Sequence, residues 1–311
     1  MANERYGNDY LVLLGKEVSY GTEQTTYTAT LPDKIEIKES TAQIAVSQKT
    51  GSLEPQKNEI QAGYKSVSVT LSGEMGIDSG ITGHGILFAG FFSDDAEPFT
   101  VQAVGSTLQS YTLYQYFSDG KYNHVVGCVM EGLTVSGASG ETIKYSATFR
   151  GKLVTREDTG SPPSTPTQPE IQPLLFCSTV FSKIAGAANI TTGNSFNLTL
   201  NNVFADDKVA YQNSCTKSGE FKTAFNGTYT VEWNYDSTND SDAYDNILST
   251  TLIEDNVDLY DGTAYFELDT FGKITDYTLA DPEKGIFVSS FTKQLMGESG
   301  SNAIEIDYNA S

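Results

Sequence analysis

Between Val125 and Lys152 the chain reads VVGCVMEGLTVSGASGETIKYSATFRGK, and apolar and polar residues alternate through most of it. Val129, Leu133 and Val135 fall on one phase, Ser136 to Gly140 supply small turn residues, and Ile143, Tyr145, Ala147 and Phe149 resume the alternation. A period of two interrupted by turn residues predicts a β-hairpin with one buried face. Similar short runs stand at Lys34–Lys38, Ser66–Leu71, Ser110–Tyr114, Ser195–Leu200, Thr228–Trp233 and Ala264–Leu268, and a second closing hairpin is expected over Ile286–Ile306. Two segments, Gly83–Phe91 and Asp242–Leu252, read as short helices.

The order of these elements occurs twice. Each half runs strand, long polar stretch, strand, turn rich in Asp, Gly and Ser, helix, strand and closing hairpin, which is how an internal repeat reads. Between the halves lies SPPSTPTQPEIQP, with five of the nine prolines (Pro162, Pro163, Pro166, Pro169 and Pro173); such a run favours an extended, semi-rigid spacer. The expected organisation is a first domain over 1–160, a Pro-rich linker over 161–174 and a second domain of the same kind over 175–311. The expected fold class is mainly β, as two tandem β-sandwich or barrel domains, each with one short α-helix. The polar stretches at 39–62 and 205–226 exceed ordinary hairpin loops, and loops of that length in a compact domain usually serve a function. We read them as arms that become ordered against a neighbouring molecule, with Ile44, Val46, Leu53, Val209, Tyr211 and Phe221 as their candidate contact residues.

Charge narrows the function classes. With 40 acidic against 19 basic residues the net charge is −21, a balance that repels polyanions instead of gripping them. Cys128, Cys177 and Cys215 are odd in number and widely spaced, so no disulfide framework is expected. The polar opening MANERYGNDY and the lack of a long apolar run predict neither export nor a membrane span. His84 and His124 each stand alone, whereas zinc or nucleophilic chemistry needs several convergent groups. The glycines from Gly76 to Gly85 lack the GxxxxGK[ST] pattern. Asp236, Asn239, Asp240, Asp242 and Asp245 invite calcium, but Ser241 stands where that loop needs glycine. Asp94, Asp95 and Glu97, with Asp206 and Asp207, read as surface turns. No catalytic, cofactor-binding or metal residue is therefore expected, and the chain is not read as an enzyme.

The hairpin also carries a resemblance. Its Gly-Cys-Val start, GLTVSG strand and YSATFRGK strand, together with the opening Leu13-Leu14-Gly15-Lys16-Glu17 through Tyr20-Gly21-Thr22, resemble the tail tube (major tail) proteins of long-tailed, non-contractile bacteriophages. Gly63 to Gly73 is similar to the central strand of that family, and Ile86 to Phe92 to its short helix. The resemblance implies a structural virion protein whose copies close into rings and stack into a hollow tube for DNA passage. With two tube domains per chain the ring would be a pseudo-hexameric homotrimer; if the second half were an outward decoration, it would be a homohexamer. It further implies the chain itself, the tape measure, the tail terminator and distal tail proteins as partners, transient non-specific passage of double-stranded DNA through an acidic bore, no membrane, and assembly in the host cytoplasm. Ile44, Val46, Leu53, Val209, Tyr211 and Phe221 would then lie at inter-ring or inter-subunit contacts. The competing readings are a β-sandwich carbohydrate-binding or adhesion module, which calls for an exposed aromatic platform although Trp233 sits inside an alternating strand, and a calcium-dependent hydrolase.

Overall fold

The structure, a computed structural model, describes residues 10–31, 33–45, 60–77, 83–94, 98–101, 108–158, 171–186, 193–205, 219–220, 222–234, 245–246, 252–260, 264–283, 286–297 and 302–310. The chain is mainly β, with 71% of the described residues in strands. In the first half these are β1 (Tyr10–Lys16), β2 (Ala29–Leu31), β3 (Lys34–Ala45), β4 (Ile60–Glu74), β5 (Gly76–Ile77), α1 (Gly85–Phe92), β6 (Phe99–Thr100), β7 (Tyr111–Phe117), β8 (Tyr122–Ala138), β9 (Lys144–Gly151) and β10 (Leu153–Asp158). The second half holds β11 (Gln172–Pro173), a 3-10 turn at Phe176–Ser178, β12 (Val180–Lys183), β13 (Gly193–Phe204), β14 (Lys222–Asn234), β15 (Ile253–Tyr260), β16 (Ala264–Glu283), β17 (Ile286–Leu295) and β18 (Ile304–Ala310).

The expected hairpin is β8–β9, and its alternation is borne out: Leu133, Val135, Tyr145, Ala147 and Phe149 are buried while their neighbours in sequence reach solvent. β8 belongs to two sheets in turn. Its first half lies between β7 and β10, and its second half between β9 and β13. The change of direction occurs at a bulge, where Met130 faces Phe149 and Gly132 faces Thr148, leaving Glu131 as the extra residue. The buried Glu17 carboxylate holds the segment ahead of that bend. It accepts hydrogen bonds from the backbone N–H of Gly21 (2.7 Å) and Gly127 (2.8 Å), from Ser110 Oγ (2.7 Å) and from Thr112 Oγ1 (3.0 Å). Gly127 has φ +67°, a backbone conformation that a side chain would strain. The Glu17 and Gly21 of the opening motif thus anchor the bend of β8.

The halves share one strand-pairing scheme. In the first, β3 pairs with β4, β4 with β9, β9 with β8, and β8 with both β7 and β10. In the second, β13 pairs with β14, β14 with β17, β17 with β16, and β16 with both β15 and β18. The bulge recurs too: Ile274 faces Lys293 and Asp276 faces Thr292, so Thr275 is the counterpart of Glu131. This corrects the expected correspondence of elements. Ala264–Leu268 opens the counterpart of β8, not of the Ser110–Tyr114 strand; that place belongs to β15, which the sequence reading had passed over. The pairing partner of each strand, rather than its rank along the chain, decides equivalence.

One apolar core runs through both halves. α1 is apolar all round and buried along its whole length, as a helix enclosed on every side must be. His84 is its N-cap residue, but its side chain bonds other partners and not the helix: Nδ1 accepts from the Gly76 N–H (3.0 Å) and Nε2 lies 3.0 Å from the Asp33 carboxylate. The observed helix agrees with the expected Gly83–Phe91, while most of 242–252 lies outside the described residues. Phe88 of α1 meets Phe266 of β16 edge to face at 5.3 Å, Phe91 meets Phe225 at 6.1 Å, and Asn202 donates to the carbonyls of Phe91 and Met130 at 3.1 Å. At the end of the proline-rich segment, β11 pairs with β5 and Leu174 is buried.

Candidate assembly surface

The halves meet edge to edge. β13 pairs with the second half of β8, placing Leu198 opposite Val135 and Leu200 opposite Leu133, all buried. This seam produces one antiparallel array of eight strands, β3-β4-β9-β8-β13-β14-β17-β16.

Both ends of the array are open among the described residues. β3 pairs with β4 alone, and residues 273–283 of β16 pair with β17 alone. These ends are the counterparts of the two strands that the seam joins. Exposure records the difference: Val135 is 0% exposed at the seam, whereas Leu279, at the same place on β16, is 46% exposed. Likewise Leu198 is buried and its counterpart Ile37 only partly so. Long edges carrying exposed apolar residues are unusual in a chain that stays alone.

The two faces of the array are chemically distinct. One packs on the core; the other carries rows of short polar side chains. A row crosses all eight strands as Lys34, Ser72, Ser146, Thr134, Thr199, Thr228, Gln294 and Lys273. A second runs Ser136, Asn197, Thr230, Thr292 and Asp276, with Thr230 and Thr292 hydrogen-bonded at 3.1 Å. Three cations on this face stand beside carboxylates: Lys38 lies 3.2 Å from Glu36, Lys144 2.5 Å from Glu141 and Arg150 3.6 Å from Glu131.

Carboxylates gather instead on the sheet of β15, β16 and β18. Asp258, Glu267 and Asp307 stand opposite one another on three adjacent strands. Partial burial, with repulsion from Glu267 and Asp269, raises the Asp258 pKa to about 6. Asn256 donates to Glu267 (3.1 Å) and Asp269 (2.6 Å), relieving part of that crowding.

Ile44 lies on β3, where it faces Gln61. Val46, Leu53, Val209, Tyr211 and Phe221 lie outside the described residues. β3–β4 and β13–β14 are long equivalent hairpins, and the stretches 46–59 and 206–218 between their strands lie outside the described residues. The family model described as phage tail tube protein matches residues 7–310. The chain belongs to the phage tail tube protein family. It is accordingly a structural component of the virion tail. A comparison with curated proteins finds no match. No helix among the described residues is long and apolar enough to cross a membrane.

In this tail tube protein, sequence reasoning placed the contact residues in the arms and missed the β16 edge. A signal was present, since Asp276-Tyr277-Thr278-Leu279-Ala280 follows the same alternation as Gly132-Leu133-Thr134-Val135-Ser136. It also missed an ion pair in the second half. Lys293, at the place of Phe149, is fully buried and bonds Asp255, Thr270 O (2.8 Å), Thr270 Oγ1 (3.0 Å) and Ile253 O (3.3 Å). Burial pulls the Lys293 pKa down, and the Asp255 charge opposes that pull.

Proposed function

We propose that this chain is the ring-forming subunit of a hollow tail tube, contributing two equivalent β units so that three chains close a pseudo-sixfold ring. The observation that carries this reading is the eight-stranded array: two four-stranded units already joined edge to edge, with matching open edges left at its ends. A head-to-tail contact of that kind generates a ring when its rotation closes. Rings would then stack through the arms that prolong the two long hairpins, with the tape measure, tail terminator and distal tail proteins at the column's interior and ends, and assembly in the host cytoplasm.

The polar face of the array suits the wall of the bore. Its character differs from the acidic lining anticipated from composition, because Ser, Thr and Asn dominate it and three of its cations, Lys38, Lys144 and Arg150, stand beside carboxylates. DNA binding grows with each phosphate neutralised by Lys or Arg; a hydroxyl-rich wall with locally balanced charge supports passage without grip. Negative-stain microscopy of the purified full-length chain tests the reading and is expected to show rings or hollow rods. A chain that stays monodisperse at high concentration, even with the other tail components added, overturns it. Deleting residues 47–58 should leave a soluble chain that forms no tubes, and normal tubes from that variant would remove the role given to the first arm.

A further inference from the structure

The internal seam is a template for the contact between chains. Superposing the two pairing schemes at their bulges makes Glu131 equivalent to Thr275 and Phe149 equivalent to Lys293. Following the ladders outward, Val69 faces Phe149 and Ile37 faces Val69, while Tyr229 faces Lys293 and Leu198 faces Tyr229. Ile37 is thus equivalent to Leu198, and Leu279, four residues past its bulge, is equivalent to Val135.

We propose that β3 of one chain pairs antiparallel with residues 276–281 of β16 in a second copy, in the register that the seam sets. Because Leu198 faces Val135, Ile37 stands opposite Leu279 of the partner subunit. Lys38 then faces Thr278 of the partner subunit, and Glu36 faces Ala280 of the partner subunit. This deepens, and rests on, the ring-forming reading above.

Three features support the register. The exposed Leu279 and the half-buried Ile37 lie on the core side of the array, so their contact continues the apolar layer that Leu198 and Val135 form at the seam. The two edges left open among the described residues would each gain a neighbouring strand, removing the hazard that open strands present. The polar face would also run on into the next chain, because Lys38 and Thr278 are the counterparts of Thr199 and Thr134, which lie in the polar row at the seam. A slip of one residue would put Leu279 on the polar side, which is why the register is specific.

The test is a paired-cysteine experiment on the full-length chain. Thr199→Cys with Thr134→Cys probes the seam and should link within one chain on oxidation. Lys38→Cys with Thr278→Cys occupies the equivalent places and should link between chains of assembled material, with the joined peptides identified by mass spectrometry. Lys38→Cys with Leu279→Cys, shifted by one residue, should link at least tenfold less. A separate variant, Leu279→Lys, places a charge at an edge exposed in the single chain. It should keep the parent melting temperature as a monomer while losing assembly.

Tubes that form without the 38–278 link, that link equally well in the shifted pair, or that persist in Leu279→Lys overturn the edge pairing and leave the tube reading standing. Failure of the unmodified chain to assemble removes the tube reading and the pairing together.

Discussion

Replacing Lys293 by methionine isolates one charge in the core of the second half. The ammonium has three N–H groups and sits among four acceptors, in a place where both it and Asp255 are 0% exposed. Lys293→Met keeps most of the side-chain volume but leaves Asp255, whose Oδ1 already lacks a hydrogen-bond partner, as a buried carboxylate with no countercharge. Breaking a buried pair on one side costs about 3–5 kcal/mol. At about 2 °C per kcal/mol for a chain of this size, the melting temperature should fall by roughly 6–10 °C. Lys293→Met with Asp255→Leu removes both charges and should recover to within about 1–2 kcal/mol of the parent, since apolar replacement of a whole pair is often neutral. Asp255→Leu alone leaves the ammonium buried without its partner and should also cost about 3–5 kcal/mol, so the two substitutions would be coupled by roughly 4–9 kcal/mol. Urea unfolding followed by fluorescence of Trp233, which is buried against Phe291 at 5.7 Å, measures all three variants. A cost below about 1 kcal/mol for the single variant, or a double variant no more stable than the sum of its parts, would refute this account of the pair.

Two further outcomes are expected. Asp258 has its folded pKa raised to about 6 by desolvation first and by Glu267 and Asp269 next, so its contribution is fully present below the unfolded value of about 3.9 and is lost as pH rises through 6. Asp258→Asn should stabilise the chain at pH 7 by roughly 1 kcal/mol after allowance for solvent screening, and a melting curve series from pH 4 to 7 should show that gain vanishing at the acid end. Phe88→Ala removes a fully buried ring that touches Phe266 across the halves and should cost about 3–5 kcal/mol; because the core is continuous, Trp233 fluorescence should report the loss although Trp233 lies in the other half.

Strand positions and their buried faces were legible from local pattern. Leu133 and Val135, Tyr145 through Phe149, and Phe196 with Leu198 all point where their alternation says, because successive side chains of a strand leave on opposite faces whatever its neighbours are. The apolar run from Ile86 to Phe92 likewise marked α1. Histidine gave less: His84 reads in sequence as a turn residue, and only folding brings Asp33 from 51 positions away to its ring. Adjacency between strands was the part that local pattern does not encode. Alternation is the same for a central strand as for an edge strand, so nothing in the run around Leu198 names Val135 as its neighbour, and nothing around Leu279 marks it as standing at an edge among the described residues. Those facts depend on contacts between residues more than sixty positions apart, whose energies are settled by how eight strands share one core. Sequence alone therefore determined a β-rich tail tube chain with alternating faces, and the tertiary structure decided that its two halves form a single array whose ends are open among the described residues.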